Sequence, residues 1–233
     1  MRILEELGIA EGMRVLDVGA GGGTIAQWFA RRVAPSGSVL AVDLDPRFIV
    51  ALDEPNLEAQ KMDLFADDFP CNSFDLVHAR CLLEHLPQRV HGLERLISAA
   101  RPGGLVAIGD FGGALGGPVY PTLDDLVAQE VFLAVVNEAG WDHTWAPTIG
   151  EHMRQFGLQD VDAESFRRYE VGGQVGSVRI NQFSFSLLRD RMVATGRVSA
   201  NQVDAYLAHL RDPTVGHVSF ETWYAWGRRP AAT

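Results

Sequence analysis

With 233 residues, 47% of them hydrophobic, the chain can bury one sizeable core, and the expected organisation is one large α/β domain with a cap, not two independent domains. A net charge of −10 argues against a nucleic-acid partner, because phosphate binding needs a positive surface. No apolar run approaches the roughly 20 residues that cross a bilayer. The opening Met1-Arg2-Ile3-Leu4-Glu5-Glu6 has acids where a signal peptide needs an apolar core, and Cys71 and Cys81 are too few for a disulfide framework or a cysteine zinc cluster, so the expected compartment is the cytoplasm.

In chain order, Ile3, Leu4, Leu7 and Ile9 predict a short opening helix, and Met13 to Val18 a strand whose continuous apolar run suits a central parallel position covered on both faces. The strand runs into Gly19-Ala20-Gly21-Gly22-Gly23, where the lack of side chains lets a ligand approach the backbone. Ile25, Trp28, Phe29 and Val33 follow at helical spacing, so a helix N-terminus with free amides points at whatever occupies the turn. A nucleotide-like ligand is the first reading. The dinucleotide fingerprint wants a glycine at position 24, which is Thr24, and the acid Asp17 two residues before Gly19 is unusual for it.

Ser38 to Asp43 reads as a second buried strand ending in an acid about twenty residues past the turn, where a carboxylate can accept both ribose hydroxyls. In Asp43-Leu44-Asp45-Pro46, Pro46 suits the first turn of a helix and Asp45 its N-cap. Leu57 to Met62 is a shorter, more polar third strand followed by Asp63-Leu64, and Ser73 to Ala79 is the fourth. A helix with Val90, Leu93, Leu96 and Ile97 on its apolar face stops at Arg101-Pro102-Gly103-Gly104, a turn before the strand Leu105 to Asp110.

Five features in this order resemble class I S-adenosylmethionine-dependent methyltransferases of the small-molecule, actinobacterial type: the DVGAGGG run, Asp43, Met62-Asp63-Leu64, the Leu83-Glu84-His85-Leu86 segment and the Pro-Gly-Gly turn. The resemblance covers nearly the whole chain. It implies an α/β fold, a doubly wound, mostly parallel Rossmann-like methyltransferase sheet with an antiparallel edge strand and helical cap insertions. Within one domain over 1–233, residues 1–111 are the cofactor-binding half, and 112–148 and 171–216 are cap or lid insertions. The implied cofactor is S-adenosyl-L-methionine, with S-adenosylhomocysteine as product. Its implied binding residues are Asp17, Gly19, Ala20, Gly21 and Gly23 for the methionine part, Asp43 for the ribose, and Leu44, Asp63 and Leu64 for the adenine. Ala79 and Arg80 stand at the strand end that delivers residues beside the methyl group.

The chain lacks an Asn-Pro-Pro-Tyr type motif, a Pro-Cys nucleophile and an acid set resembling a magnesium site, so a metal-independent enzyme acting on a small, partly apolar molecule is expected, with no nucleic-acid or membrane partner. Members of this kind commonly carry a helical segment before the opening helix. Here the chain starts almost at the scaffold, which leaves a more open site, a lid supplied from elsewhere, or a late translation start.

Beyond Phe111 the glycine-rich run to Pro118 is a flexible connection, and Thr122 with Asp125 predicts a capped helix bearing Val127, Val131 and Val135. In Trp141-Asp142-His143-Thr144-Trp145, the tryptophans can line an apolar pocket and Asp142 and His143 can fix polar groups, so Phe111, Trp141, Asp142, His143 and Trp145 are the substrate-side candidates. A helix is predicted over Phe183 to Ala194, a second after the capping box Ser199 to Gln202, and an alternating edge strand over Val218 to Trp226. The two helices serve either as a lid or as a homodimer surface. Of seven histidines, His85 is the general-base candidate because it follows the fourth strand, and its alternative is to pack the next helix; His78, inside that strand, reads as core or cofactor shell. The competing functions are a protein that binds the same cofactor for a non-methylating reaction (cyclase, decarboxylase) or as a binding partner, and an NAD-dependent oxidoreductase, which Thr24 and Asp17 disfavour.

Overall fold

In the computed structural model, which describes residues 2–231, the run Val15 to Val18 is buried without interruption. This follows from its place: β1 (Arg14–Val18) pairs in parallel with β2 (Ser38–Asp43) on one side and β4 (Phe74–Arg80) on the other. The helix α1 (Arg2–Glu6) precedes it and α2 (Thr24–Val33) follows, burying Ala26, Phe29, Ala30 and Val33 along one face. The short α3 (Arg47–Val50) leads to β3 (Leu57–Lys61), whose mixed burial fits the sheet edge. After β4 come a single 3-10 turn at Leu83–His85, α4 (Arg89–Ala99) and the long β5 (Ala100–Phe111).

The later elements are β6 (Gly117–Pro118), α5 (Leu123–Glu138), α6 (Ile149–Gln155), β7 (Gln159–Phe166), β8 (Tyr169–Val171), α7 (Ser177–Ala194), α8 (Ala200–Arg211), β9 (Gly216–Val218) and β10 (Thr222–Arg228). Seven strands form the main sheet in the order β3-β2-β1-β4-β5-β10-β7, and β6-β9-β8 make a small antiparallel sheet. The strand order reverses between β1 and β4. In open α/β sheets the crevice outside the carboxyl ends of strands at such a reversal is where ligands bind.

The chain divides into two compact units, one of residues 1–110, 146–164 and 224–233, the other of 111–145 and 165–223. The second has its own core: α5, α7 and α8 bury Val131, Phe132, Phe185, Tyr206, Leu207 and Leu210, with the Phe132 and Phe185 rings stacked 4.2 Å apart. Both expected capping boxes close there, Thr122 with Asp125 at the start of α5 and Ser199 with Gln202 at the start of α8.

Four expectations are corrected. The stretch from Val218 to Trp226 is two strands, and β10 lies between β5 and β7, not at the edge; Thr222, Tyr224, Ala225 and Gly227 are buried and Trp223 and Trp226 half-buried, so both faces are covered. Pro102-Gly103-Gly104 is no turn before a strand but part of β5, at a register shift opposite Phe74 to Leu76, where a Cβ on Gly104 would stand 2.9 Å from the Phe74 carbonyl. Asp45 does not cap α3; its carboxylate pairs with Arg47 at 2.7 Å and Pro46 occupies the cap position. The helix expected from Phe183 starts six residues earlier, at Ser177.

Candidate functional site

The glycine turn leaves β1 through Gly19 (φ 68°), Gly21 (φ 55°) and Gly23 (φ 74°), a left-handed conformation that side chains rarely adopt. The reasons for glycine differ. A Cβ on Gly23 would meet Leu52 at 2.5 Å and one on Gly19 the Leu82 side chain at 3.0 Å, whereas one on Gly21 would enter open space. Gly23 is also the N-cap of α2 and supplies no side chain to its first amides, so that helix end is open to an acceptor from a ligand.

Two cavities meet at Gly19. The polar one, about 300 Å³, is lined by Asp17, Gly19 to Gly22, Thr24, Ile25, His78, Arg80 and Cys81. The other, about 120 Å³, is apolar, lined by Val18, Leu44, Met62, Leu64, Phe65, Leu82 and Leu86, with the two acids Asp43 and Asp63. A ligand with a zwitterionic arm at one end and a flat aromatic base at the other matches this pair.

The acids are partly engaged by the backbone they organise. Asp43 accepts the Gly21 N–H on Oδ2 (2.8 Å) and the Asp45 N–H on Oδ1 (3.0 Å). A carboxylate offers about four acceptor positions, so ribose hydroxyls can still be accepted. Asp63 takes the Phe65 and Ala66 N–H groups on Oδ1 at 2.8 and 3.3 Å. Leu64 is buried and Leu44 is 62% exposed. Ala79 is buried within β4, and Arg80 is exposed at its end.

Behind the turn, the parallel register places Asp17 opposite His78. The His78 Nδ1–H donates to Asp17 Oδ1 at 2.7 Å, and both residues are buried. The Tyr224 hydroxyl stands 3.5 Å from His78 Nε2, and burial pushes that phenol well above the ordinary tyrosine range. Just past β4, Cys81 has φ 53°, an uncommon conformation for a residue with a Cβ. Its N–H donates to the Gly109 carbonyl at 2.7 Å, while the buried Asp110 accepts the Leu82 N–H at 3.0 Å and the Glu84 N–H at 3.2 Å, one on each oxygen. The end of β5 thus braces a turn that lines both cavities. Burial pushes the Cys81 thiol up to about 12, so it stays protonated and a poor nucleophile at neutral pH.

His85 ends the 3-10 turn with its side chain half-exposed, and its Nε2 lies 3.2 Å from Glu84 Oε1. That hydrogen bond to a buried carboxylate raises its pKa above the ordinary histidine value, against the opposing effect of burial. His85 is in neither set of cavity-lining residues.

In the second unit, Phe111 and Trp141 both pack against Phe220, with ring centroids 5.6 and 6.4 Å away, and His143 lies 6.0 Å from the Trp141 ring. Asp142 accepts the Thr144 N–H and hydroxyl at 2.9 and 2.6 Å, and Trp145 is buried. The structure therefore gathers Phe111, Trp141 and His143, turns Asp142 into a local loop bond and puts Trp145 into packing. Sequence reasoning missed Cys81, Phe65, Leu82, Asp110 and Tyr224, and it named Met62 and Leu86 within motifs without giving them a place in the cavity. Most are apolar or at a strand end, with no spacing signal, although Asp110 is an acid closing an apolar strand run, as Asp43 is.

A family model described as a methyltransferase domain matches residues 16–106. The chain is 28% identical over 232 residues to 27-O-demethylrifamycin SV methyltransferase of Amycolatopsis mediterranei (strain S699), covering 93% of this chain and 79% of that protein. It is 33% identical over 109 residues, 46% of its length, to methyltransferase str2 of Strobilurus tenacellus, of which it spans only 39%. Among solved structures, phosphoethanolamine N-methyltransferase 2 of Haemonchus contortus, in complex with phosphomonomethylethanolamine and S-adenosylhomocysteine, shares the fold at a TM-score of 0.62 and 20% identity, over 98% of this chain and 52% of that one. Residues 16–106, which carry the glycine turn at the switch point of a mostly parallel sheet, are thus similar to a methyltransferase domain, and the chain shares its fold with a solved methyltransferase that holds S-adenosylhomocysteine.

Proposed function

We propose that this chain transfers the methyl group of S-adenosylmethionine to an oxygen, nitrogen or carbon of a small, partly apolar molecule, without a metal ion. The observation that carries the reading is the pair of cavities meeting at Gly19, one polar and one apolar with two acids. When bound, the cofactor supplies a sulfonium-activated methyl group for direct displacement.

The chain's part is then alignment and exclusion of water. The open amides of α2 take the carboxylate of the amino-acid arm, and Asp17 takes its ammonium. Asp43 accepts the ribose hydroxyls on the oxygen positions that Gly21 and Asp45 leave available. Asp63 accepts the adenine amine, with Leu44 and Leu64 on the ring faces. Leu82, held by the brace from Asp110, and Leu86 close the apolar side against water.

His85 is the proposed base for an acceptor that must lose a proton, working through the neutral ring, with Phe111, Trp141 and His143 offering an apolar surface edged by a polar group. The relative from Amycolatopsis mediterranei is named for a methyl transfer to a natural product, which supports a small-molecule acceptor. Among the described residues no group of three or more His, Cys, Asp or Glu gathers to hold a metal.

The test is incubation of the purified protein with S-adenosylmethionine and a panel of phenols, hydroxyquinones and amines. The reading expects S-adenosylhomocysteine to form in step with a methylated acceptor. Conversion of an acceptor with no S-adenosylhomocysteine would instead show a non-methylating reaction.

A further inference from the structure

The buried histidine of β4 has no role in the mechanism above, yet it lines the polar cavity with a neighbour at each ring nitrogen. Its Nδ1–H donates to Asp17 at 2.7 Å, and its Nε2 stands 3.5 Å from the Tyr224 hydroxyl. The centroid of its ring lies 5.2 Å from that of Phe29, in an edge-to-face arrangement, and 6.2 Å from that of Tyr224. The Arg80 guanidinium, which lines the same cavity, acts electrostatically on the Tyr224 phenol. Both nitrogens of the imidazole therefore have a neighbour, from β1 and β10, and α2 packs a ring against it.

The consequence falls on Asp17. A carboxylate at the end of a buried strand can rotate about its last bond or take up a proton, and either change would alter what it offers a ligand. Here Oδ1 is committed to the imidazole, while Oδ2 has no hydrogen bond among the described residues and is left to the cavity that Asp17 lines. A carboxylate with one oxygen anchored presents one directed acceptor and one negative charge, the complement of a primary ammonium.

We propose that His78 is a positioning residue of the cofactor cleft: through its hydrogen bond to Asp17 it aims that carboxylate at the ammonium of the amino-acid arm, and so sets affinity for that arm and not for the adenosine part. The inference rests on the cofactor reading above and adds to it a residue and a division of labour between the two cavities.

Calorimetry on the full chain tests it with two ligands, S-adenosylmethionine and methylthioadenosine, which keeps the adenosine and lacks the amino-acid arm. His78→Leu is expected to weaken S-adenosylmethionine about tenfold, the effect of losing one charge-assisted hydrogen bond, and to leave methylthioadenosine within about twofold. His78→Asn, whose amide can donate from near the Nδ1 position, should restore most of the affinity, and His78→Gln, whose amide falls near Nε2, should not. The Asn and Gln pair decides the matter even if the Leu variant does not fold.

Equal weakening of both ligands would mean that His78 merely supports the fold. Unchanged binding in the Leu variant, or equal affinity of the Asn and Gln variants, would equally overturn the proposal. Wild-type protein that binds neither ligand would defeat the cofactor reading itself, and this inference with it.

Discussion

In the unit that carries the glycine turn, the buried polar groups have partners within the protein: His78 with Asp17, Glu84 with His85, and Asp110 with the Leu82 and Glu84 amides. In the second unit, Asn181 Oδ1, His217 Nδ1 and Trp223 Nε1 are buried without a partner among the described residues. The first unit orders its polar atoms along the carboxyl ends of β1, β4 and β5, so a ligand meets groups whose directions are already set. The second is held by apolar helix packing and keeps polar atoms unsatisfied, each at a cost of about 1–3 kcal/mol. The directed polar groups belong to the first unit, and the second is held mainly by apolar packing.

The largest expected effect comes from the helical core of the second unit. Phe185 is fully buried between Phe132 and Tyr206, so Phe185→Ala should cost about 3–5 kcal/mol, read as a lower urea midpoint. If the units differ as described, affinity for S-adenosylmethionine should stay within about threefold; a parallel collapse of binding would show that they are one energetic body. Next is Gly23→Val, which puts a β-branched side chain at φ 74° and 2.5 Å from Leu52. About 3 kcal/mol of lost stability and a clear loss of cofactor affinity are expected, whereas Gly21→Ala, facing open space, should cost about 1 kcal/mol. Equal effects at the two glycines would contradict the distinction drawn between them.

Asp63→Ala should raise the dissociation constant for S-adenosylmethionine about tenfold with little effect on stability. An unchanged constant would return Asp63 to the role of a loop acid that caps Phe65 and Ala66. In the second unit, Asn181→Leu removes an unpaired acceptor at the cost of one 3.3 Å bond to the Gly116 carbonyl, and the variant should be no less stable than the parent, by thermal melting. A loss above about 2 kcal/mol would mean that Asn181 is satisfied in solution.

The smallest effect is a pH dependence at His85. Its pKa is raised by the bond to Glu84, so the stability it contributes is fully present below the ordinary histidine value of about 6.5 and fades as pH rises through the raised value. The difference in urea midpoint between wild type and His85→Gln should therefore be larger near pH 5.5 than near pH 8. A difference that does not change with pH would remove the Glu84 interaction from the account.

Sequence patterning revealed the scaffold because its signals are local and repeated. The helix Thr24–Val33 and the strand Ser38–Asp43 fall where apolar spacing puts them, since a buried parallel strand needs a continuous apolar run and a helix against a sheet needs one apolar face. Pairing across the sheet is not local, so the interior place of β10 could not be read from its own alternation. Nor could the partnership of Asp17 and His78, which depends on the register between strands sixty-one residues apart. Loop chemistry was ambiguous in the same way: Asp45 has a good capping residue type, yet Arg47 claims its carboxylate. For the candidate site, acids at strand ends were visible as types, while the apolar walls around them resembled any core.

The central claim is that the cleft at Gly19 holds S-adenosylmethionine with Asp43 on the ribose, and a calorimetric titration of the wild-type chain and Asp43→Ala tests it most directly. The account predicts saturable one-to-one binding by the wild type and a dissociation constant at least about tenfold higher in the variant. Absence of binding by the wild type, or equal binding by both proteins, would contradict it.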